Sequence, residues 1–186
     1  MPTLYKNYRK KNITNQTPGY SNNAWITPTG FIDTYPAVVG SAAMGDKFTI
    51  DDSIVYVTNK GSIAVFCAPK SVSADGEVVG EELAKRFQWK PKIIMVGDGP
   101  VFLELISNLL NESFLLHVAN GECEGNQKVQ FGSQCTPCSV IAGSYKTGTL
   151  ADGRKQCEFE LEAYNKYFYN GTIVELDDDT EVPLPE

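Results

Sequence analysis

Cys157-Glu158-Phe159-Glu160-Leu161-Glu162-Ala163 alternates without a fault between small or apolar residues and acids. A period of two marks a strand with one face on a core and the other facing away. Cys157, Phe159, Leu161 and Ala163 are thereby assigned to a core, and Glu158, Glu160 and Glu162 to the opposite face. Asp152-Gly153, just upstream, has the composition of a two-residue hairpin turn. Downstream, Tyr167-Phe168-Tyr169 runs into a second turn signal, Asn170-Gly171, and Thr172–Leu176 is expected to close the sheet. Residues 139–175 therefore read as the clearest β region.

Working back from this region, residues 119–138 carry Gly121, Gly125, Gly132 and Pro137 and read as a long loop or loose hairpin. A connection of that length points to contact with a neighbour. Phe114–Val118 reads as a strand. Phe102, Leu105, Ile106, Leu109 and Leu110 recur at helical spacing and predict a helix over about 100–111. Pro100 suits its first turn, where a missing N–H is harmless. Lys92–Val96 suits a buried strand, and Glu81-Glu82-Leu83-Ala84-Lys85-Arg86 has the composition of a short helix within 79–88.

Further upstream, residues 69–77 read as a polar loop. Residues 46–68 read as a hairpin turning at Asn59-Lys60-Gly61. Pro28, Gly30, Pro36 and Gly40 break residues 25–45, leaving a short extended stretch near Phe31–Val39. Residues 1–24 read as an extended arm, 25–176 as one domain, and 177–186 as an acidic tail, mobile or docked on a partner. The expected fold class is mainly β (α+β): a β-sandwich or partly closed barrel with one packed helix.

The 186 residues fit one domain, and 42% hydrophobic content is enough for an ordinary core. The net charge of −7 argues against a general nucleic-acid binder, which needs a basic surface. The charge is polarised. Lys6, Arg9, Lys10 and Lys11 lie in the arm, whereas Glu175, Asp177, Asp178, Asp179, Glu181 and Glu186 lie at the other end. Opposite charges at two ends suit head-to-tail contacts between copies. No apolar run is long enough for a membrane helix, and the polar N-terminus lacks a signal core. Five cysteines without an export signal point to free thiols in a reducing compartment.

No pattern for a catalytic triad, zinc protease or phosphate loop occurs, and no catalytic residue, metal or cofactor is assigned. Val96-Gly97-Asp98-Gly99-Pro100 joins a strand to a helix, but it lacks the third glycine of a dinucleotide fingerprint, and Asp98 repels phosphate. His117, the single histidine, sits in the apolar run Phe114–Val118 and reads as a strand position. Cys135-Thr136-Pro137-Cys138 has redox and zinc spacing, with Cys123 and His117 as further ligands for a metal or redox module. The competing assignment is loop and strand thiols without chemistry. The aromatic content leaves a carbohydrate-binding sandwich as another alternative.

The second half of the chain, from Lys92–Val96 through the 100–111 helix to Thr147–Lys155, Cys157–Tyr164 and Tyr167–Gly171, resembles the tail tube proteins of long-tailed bacteriophages. The resemblance is architectural and spans about residues 45–176. It implies a sandwich with a flanking helix, commonly six copies in a ring, inner strands closing a continuous barrel, and rings stacking into a hollow tube. It implies a structural virion protein of the tail, assembled in the host cytoplasm, with partners that are further copies, other tail proteins, and DNA passing without specific binding. Glu158, Glu160 and Glu162 become the candidate lumen lining. Lys6, Arg9, Lys10, Lys11, Asp177, Asp178 and Asp179 become candidate inter-subunit contacts, with residues 119–138 between rings. A tail terminator, a connector or a capsid decoration protein are the structural alternatives.

Overall fold

The computed structural model describes residues 4–5, 20–40, 45–82, 84–120, 127–148, 153–177 and 182–183. In chain order the strands are β1 (Leu4–Tyr5), β2 (Tyr20–Pro28), β3 (Ile32–Thr34), β4 (Thr49–Ile50), β5 (Val55–Tyr56), β6 (Ile63–Phe66), β7 (Ser73–Val79) and β8 (Arg86–Val96). After the single α-helix α1 (Pro100–Leu109) follow β9 (Phe114–Asn120), β10 (Lys128–Phe131), β11 (Ser139–Lys146), β12 (Gln156–Glu162), β13 (Lys166–Tyr169) and β14 (Val182–Pro183). The fold is mainly β, in sheets that do not close into barrels.

Two sheets share one core. A six-stranded sheet runs β4-β13-β10-β9-β2-β6, and a four-stranded sheet runs β11-β12-β8-β7. Ala24, Ile26, Val65, Leu116, Val118, Val129 and Phe131 of the first sheet pack with Ile93, Met95, Cys157, Phe159 and Leu161 of the second. The apolar stripe of α1 (Phe102, Leu105, Ile106 and Leu109) enters the same core. Pro100 stands at the start of this helix, as its missing N–H allows.

The far face of the six-stranded sheet is covered by a second, smaller cluster. Ile32, Ile50 and Ile54 pack there on Leu115 and Tyr169. This layer comes from the stretch between β2 and β6, in which β3 pairs with β5. The two ends of the chain meet where β1 pairs antiparallel with β14, and β1 lies beside α1.

Several expectations are overturned. Residues 20–24, assigned to the arm, belong to β2, which lies inside the six-stranded sheet between β9 and β6. The 46–68 hairpin does not form: β5 pairs with β3, and β6 pairs with β2. Asn59 nonetheless takes the positive φ expected of a turn. The polar loop at 69–77 and the helix at 79–88 are replaced by one antiparallel hairpin, with Ser73–Val79 paired to Arg86–Lys92. An isolated ten-residue helix is marginal in water, and a full ladder outcompetes it. Gly80 supplies the turn at φ 110°. The hairpin before β12 is also wider than two residues. The last pair is Lys146↔Gln156, so residues 147–155 form the connection; Asp152 lies outside the described residues.

Candidate assembly surface

The alternation that opened the sequence reading places its side chains as expected. Cys157, Phe159 and Leu161 of β12, with Ala163 just beyond it, are buried in the core. Glu158, Glu160 and Glu162 lie half-buried on the opposite face. That face is not purely acidic. Across it, β8 contributes Arg86, Lys90 and Lys92, β7 contributes Asp75 and Glu77, and β11 contributes Lys146, all on one side by register.

The charges are interleaved and paired. Glu158 is bridged by Lys92 and, at 3.5 Å, by Lys146. The Lys92 ammonium, foremost, holds the Glu158 carboxyl below its ordinary range. Glu77 bridges Lys90 at 2.7 Å. Glu162 accepts hydrogen bonds from Gln88 and, at 2.5 Å, from the Tyr164 hydroxyl. Pairs this exposed contribute little to stability. Their effect is to make the face largely hydrophilic and nearly charge-balanced, with Ile94 and Val96 half-buried among the charges and the Tyr164 ring stacked against Arg86.

Among the described residues both edges of this sheet are open: β7 pairs only with β8, and β11 only with β12. Each neighbouring pair is antiparallel, so β7 and β11 run in opposite directions. Both edge strands are largely exposed. One bulge, between Val140 and Ala142, lies at the start of β11 and leaves Ala142–Lys146 regular.

Asp98 sits at the end of this sheet. It accepts hydrogen bonds from Lys155 and, at 2.9 Å, from the Tyr145 hydroxyl. Lys155, first, holds its carboxyl below the usual range. The N-terminus of α1 thus already carries a paired carboxylate, and the tie fastens the 147–155 connection to the helix.

The remaining candidates fall elsewhere. His117 on β9 is fully buried beneath the second cluster. Its Nε2 meets Gln130 Oε1 at 3.0 Å, while Gln130 Nε2 donates to the Gly132 carbonyl at 3.1 Å. That second bond fixes the amide orientation, so His117 Nε2 carries the proton. Burial lowers its pKa to about 4. Cys138 is buried, its thiol pushed up to about 12 by desolvation, whereas Cys135 is exposed beside a cleft of about 380 Å3 lined in part by Tyr35, Ile50, Gln130 and Tyr167. His117 therefore spends its donor on an amide, and among the described residues no three metal-ligating side chains converge.

Asp177 is exposed at the end of the described stretch. Lys6, Arg9, Lys10, Lys11, Asp178, Asp179 and Cys123 lie outside the described residues. Sequence reasoning missed the two sheet edges and the hairpin that carries one of them, because its turn was read as a helix. Among the described residues no helix is long and apolar enough to cross a membrane. No protein-family model, curated protein or solved structure matches the chain.

Proposed function

We propose that the chain is a structural subunit whose copies close into rings through the two open edges of the four-stranded sheet, and that these rings stack into a tube like those of the phage tails whose architecture it resembles. One observation carries this reading: among the described residues β7 and β11 are open edges of one sheet, and they run in opposite directions. Copies related by rotation about an axis would set β7 of one beside β11 of the next, antiparallel at every junction. Such closure removes the edges that otherwise invite uncontrolled pairing.

In that ring the core stays on the outside and the charged face lines the lumen. Glu158, Glu160 and Glu162 would alternate there with Lys90, Lys92 and Lys146. A near-balanced hydrated lining lets DNA pass without the phosphate neutralisation that makes binding tight. The partners are then other copies, further tail proteins and transient DNA, in the virion tail.

Negative-stain microscopy and light scattering of the purified chain over a rising concentration series test the reading. Rings, or stacks of rings, are expected. A monomer at every concentration sinks it, and rings that never stack favour a terminator.

A further inference from the structure

We infer that copies of this chain join with a stagger of four residues, so that residues 73–77 of β7 lie beside residues 142–146 of the next copy's β11, and that this stagger seats the charged face inward. This inference rests on the ring reading and specifies the register of its junction. The two edges do not stand level. Opposite Lys92 of β8 lie Ser73 on one side and Glu160 on the other, and Glu160 pairs with Ala142. From that level β7 runs one way, to Val79 opposite Arg86. β11 runs the other way, to Lys146, whose partner Gln156 lies opposite Val96. With no stagger only their ends overlap. Tyr145 would then meet the level of Met95, where the β7 side of the sheet is held by Cys67, whose N–H is already given to Asn22. A shift of four residues sets the regular part of β11 wholly against β7. The shift is even, so core-facing residues stay together. Gly76 and Ala74 then oppose Gly143 and Tyr145, whose backbone groups, by antiparallel alternation, point away from their own sheets.

A closed barrel requires a stagger of fixed size and hand. Four residues over the four strands of one copy is one residue per strand, the ratio that gives strand tilts of about 36° in closed barrels. Each copy adds strands and stagger alike, so the ratio holds for any number of copies. The hand follows from backbone chirality. Trp89 faces the core and exchanges hydrogen bonds with Ala163 on the β12 side, at 2.6 and 2.9 Å. An L-residue in an upward-running strand, with its side chain toward the viewer, points its N–H and C=O to the right. Seen from the core side with β8 running upward, β11 is therefore the right-hand edge, and it is also the higher one. Strands of a closed barrel rise to the right when seen from outside. A level rim then needs the right-hand edge of each copy to stand higher than the left. That holds here with the core outside, and turning the charged face outward reverses the sense. On the charged face Asp75 comes beside Ser144 and diagonal to Lys146, an attractive placement.

Disulfide mapping in the full chain tests the register. Asp75→Cys and Ser144→Cys, both on exposed edge strands, become direct neighbours at the junction. Direct pairs stand within disulfide reach, whereas diagonal ones, at about 7–8 Å, do not. The double variant is treated with oxidised glutathione, with the unaltered chain as control for its own thiols. Asp75→Cys combined with Ala142→Cys or with Lys146→Cys reports shifts of two and six residues instead. The Ser144→Cys pair is expected to give a reducible ladder of linked copies at least about tenfold stronger than either other pair. Its single variants, mixed, should give dimers only. A stronger ladder from another pair overturns the stagger, and Asp75→Cys linking to itself overturns it in favour of a two-fold interface. Rings visible by microscopy without any ladder overturn the junction and leave the ring reading standing. A chain that never assembles overturns both. For the inward face, Glu160→Cys should react with a bulky polymer maleimide at least about tenfold more slowly in rings than in the dilute chain. Equal rates would put the charged face outside.

Discussion

Cys67 pairs with Met95 across the seam between the two sheets. Cys67 follows β6, and its N–H donates to the Asn22 carbonyl of β2 at 2.9 Å, while the next N–H, of Ala68, donates to Ile94 of β8 at 2.8 Å. Met95 pairs on its other side with Cys157. One short backbone segment therefore stitches the six-stranded sheet to the four-stranded one. It sets the angle at which the charged face and its two open edges are presented.

Cys67 is fully buried, and desolvation pushes its thiol to about 12. A hydroxyl there would lose water without a designated partner. Cys67→Ser is expected to cost about 1–3 kcal/mol in urea unfolding. An unchanged midpoint would show that the seam tolerates a polar group and is looser than its hydrogen bonds indicate.

The same burial predicts thiol reactivity. Of Cys67, Cys135, Cys138 and Cys157, only Cys135 is exposed. Mass-mapped alkylation of the native chain should modify Cys135 and spare the other three until denaturant is added, because the thiolate is the reacting form. Rapid native modification of Cys138 would revive the CxxC as a redox or metal site.

Gly80 discriminates the observed hairpin from the helix that Glu81–Arg86 advertise. In a helix, Gly80→Ala would be neutral or stabilising. In the turn, φ is 110° and an added Cβ would lie 2.5 Å from the Ala84 carbonyl oxygen. Gly80→Ala is expected to lower stability by about 1–3 kcal/mol; a gain would restore the helix.

The contrast shows which parts of the fold are written locally. β12 announces itself because one of its faces is core and the other is charged. The α1 stripe is equally legible, since Phe102, Leu105, Ile106 and Leu109 meet one core. β2 is not, because both of its faces are covered. Ala24 and Ile26 enter the main core, while Thr27 on the other side bonds the Ser62 hydroxyl. Burial of Asn22 and Thr27 blurs the alternation. The acidic stripe was legible as residues but not as a field, because Lys90, Lys92 and Lys146 arrive from other strands. The open edges could not be read at all, since an edge is defined by what fails to pair with it.

His117 makes stability depend on pH in a stated direction. Its folded pKa of about 4 lies below the ordinary imidazole value of 6.5, so the unfolded chain binds the proton more readily. The neutral form is favoured fully above about pH 6.5, and that contribution is lost as pH falls toward 4. Between pH 7.5 and 5 the loss is about 2 kcal/mol at 1.36 kcal/mol per pH unit. Glu158, whose pKa is also depressed, adds a loss only at lower pH. Urea midpoints at the two pH values should converge for His117→Gln relative to the unaltered chain. Equal pH sensitivity in both would remove His117 from the account.

The charged face yields the sharpest test of a lumen. It holds Asp75, Glu77, Glu158, Glu160 and Glu162 against Arg86, Lys90, Lys92 and Lys146. Glu158→Gln with Glu160→Gln reverses that balance and leaves Lys92 and Lys146 without their carboxylate. Neither glutamate side chain enters the core, so folding and ring formation should persist. Repeated around a ring, the reversal turns one excess negative charge per copy into one excess positive charge per copy, with Lys92 and Lys146 released from their carboxylate. Variant rings should then retain a labelled oligonucleotide at about 50 mM salt and release it by about 200 mM, as counterion release dictates. Rings of the unaltered chain should retain none at either salt. Variant rings that assemble normally yet hold no DNA would mean that this face does not line the passage, and the sheet would have to close with its other side inward.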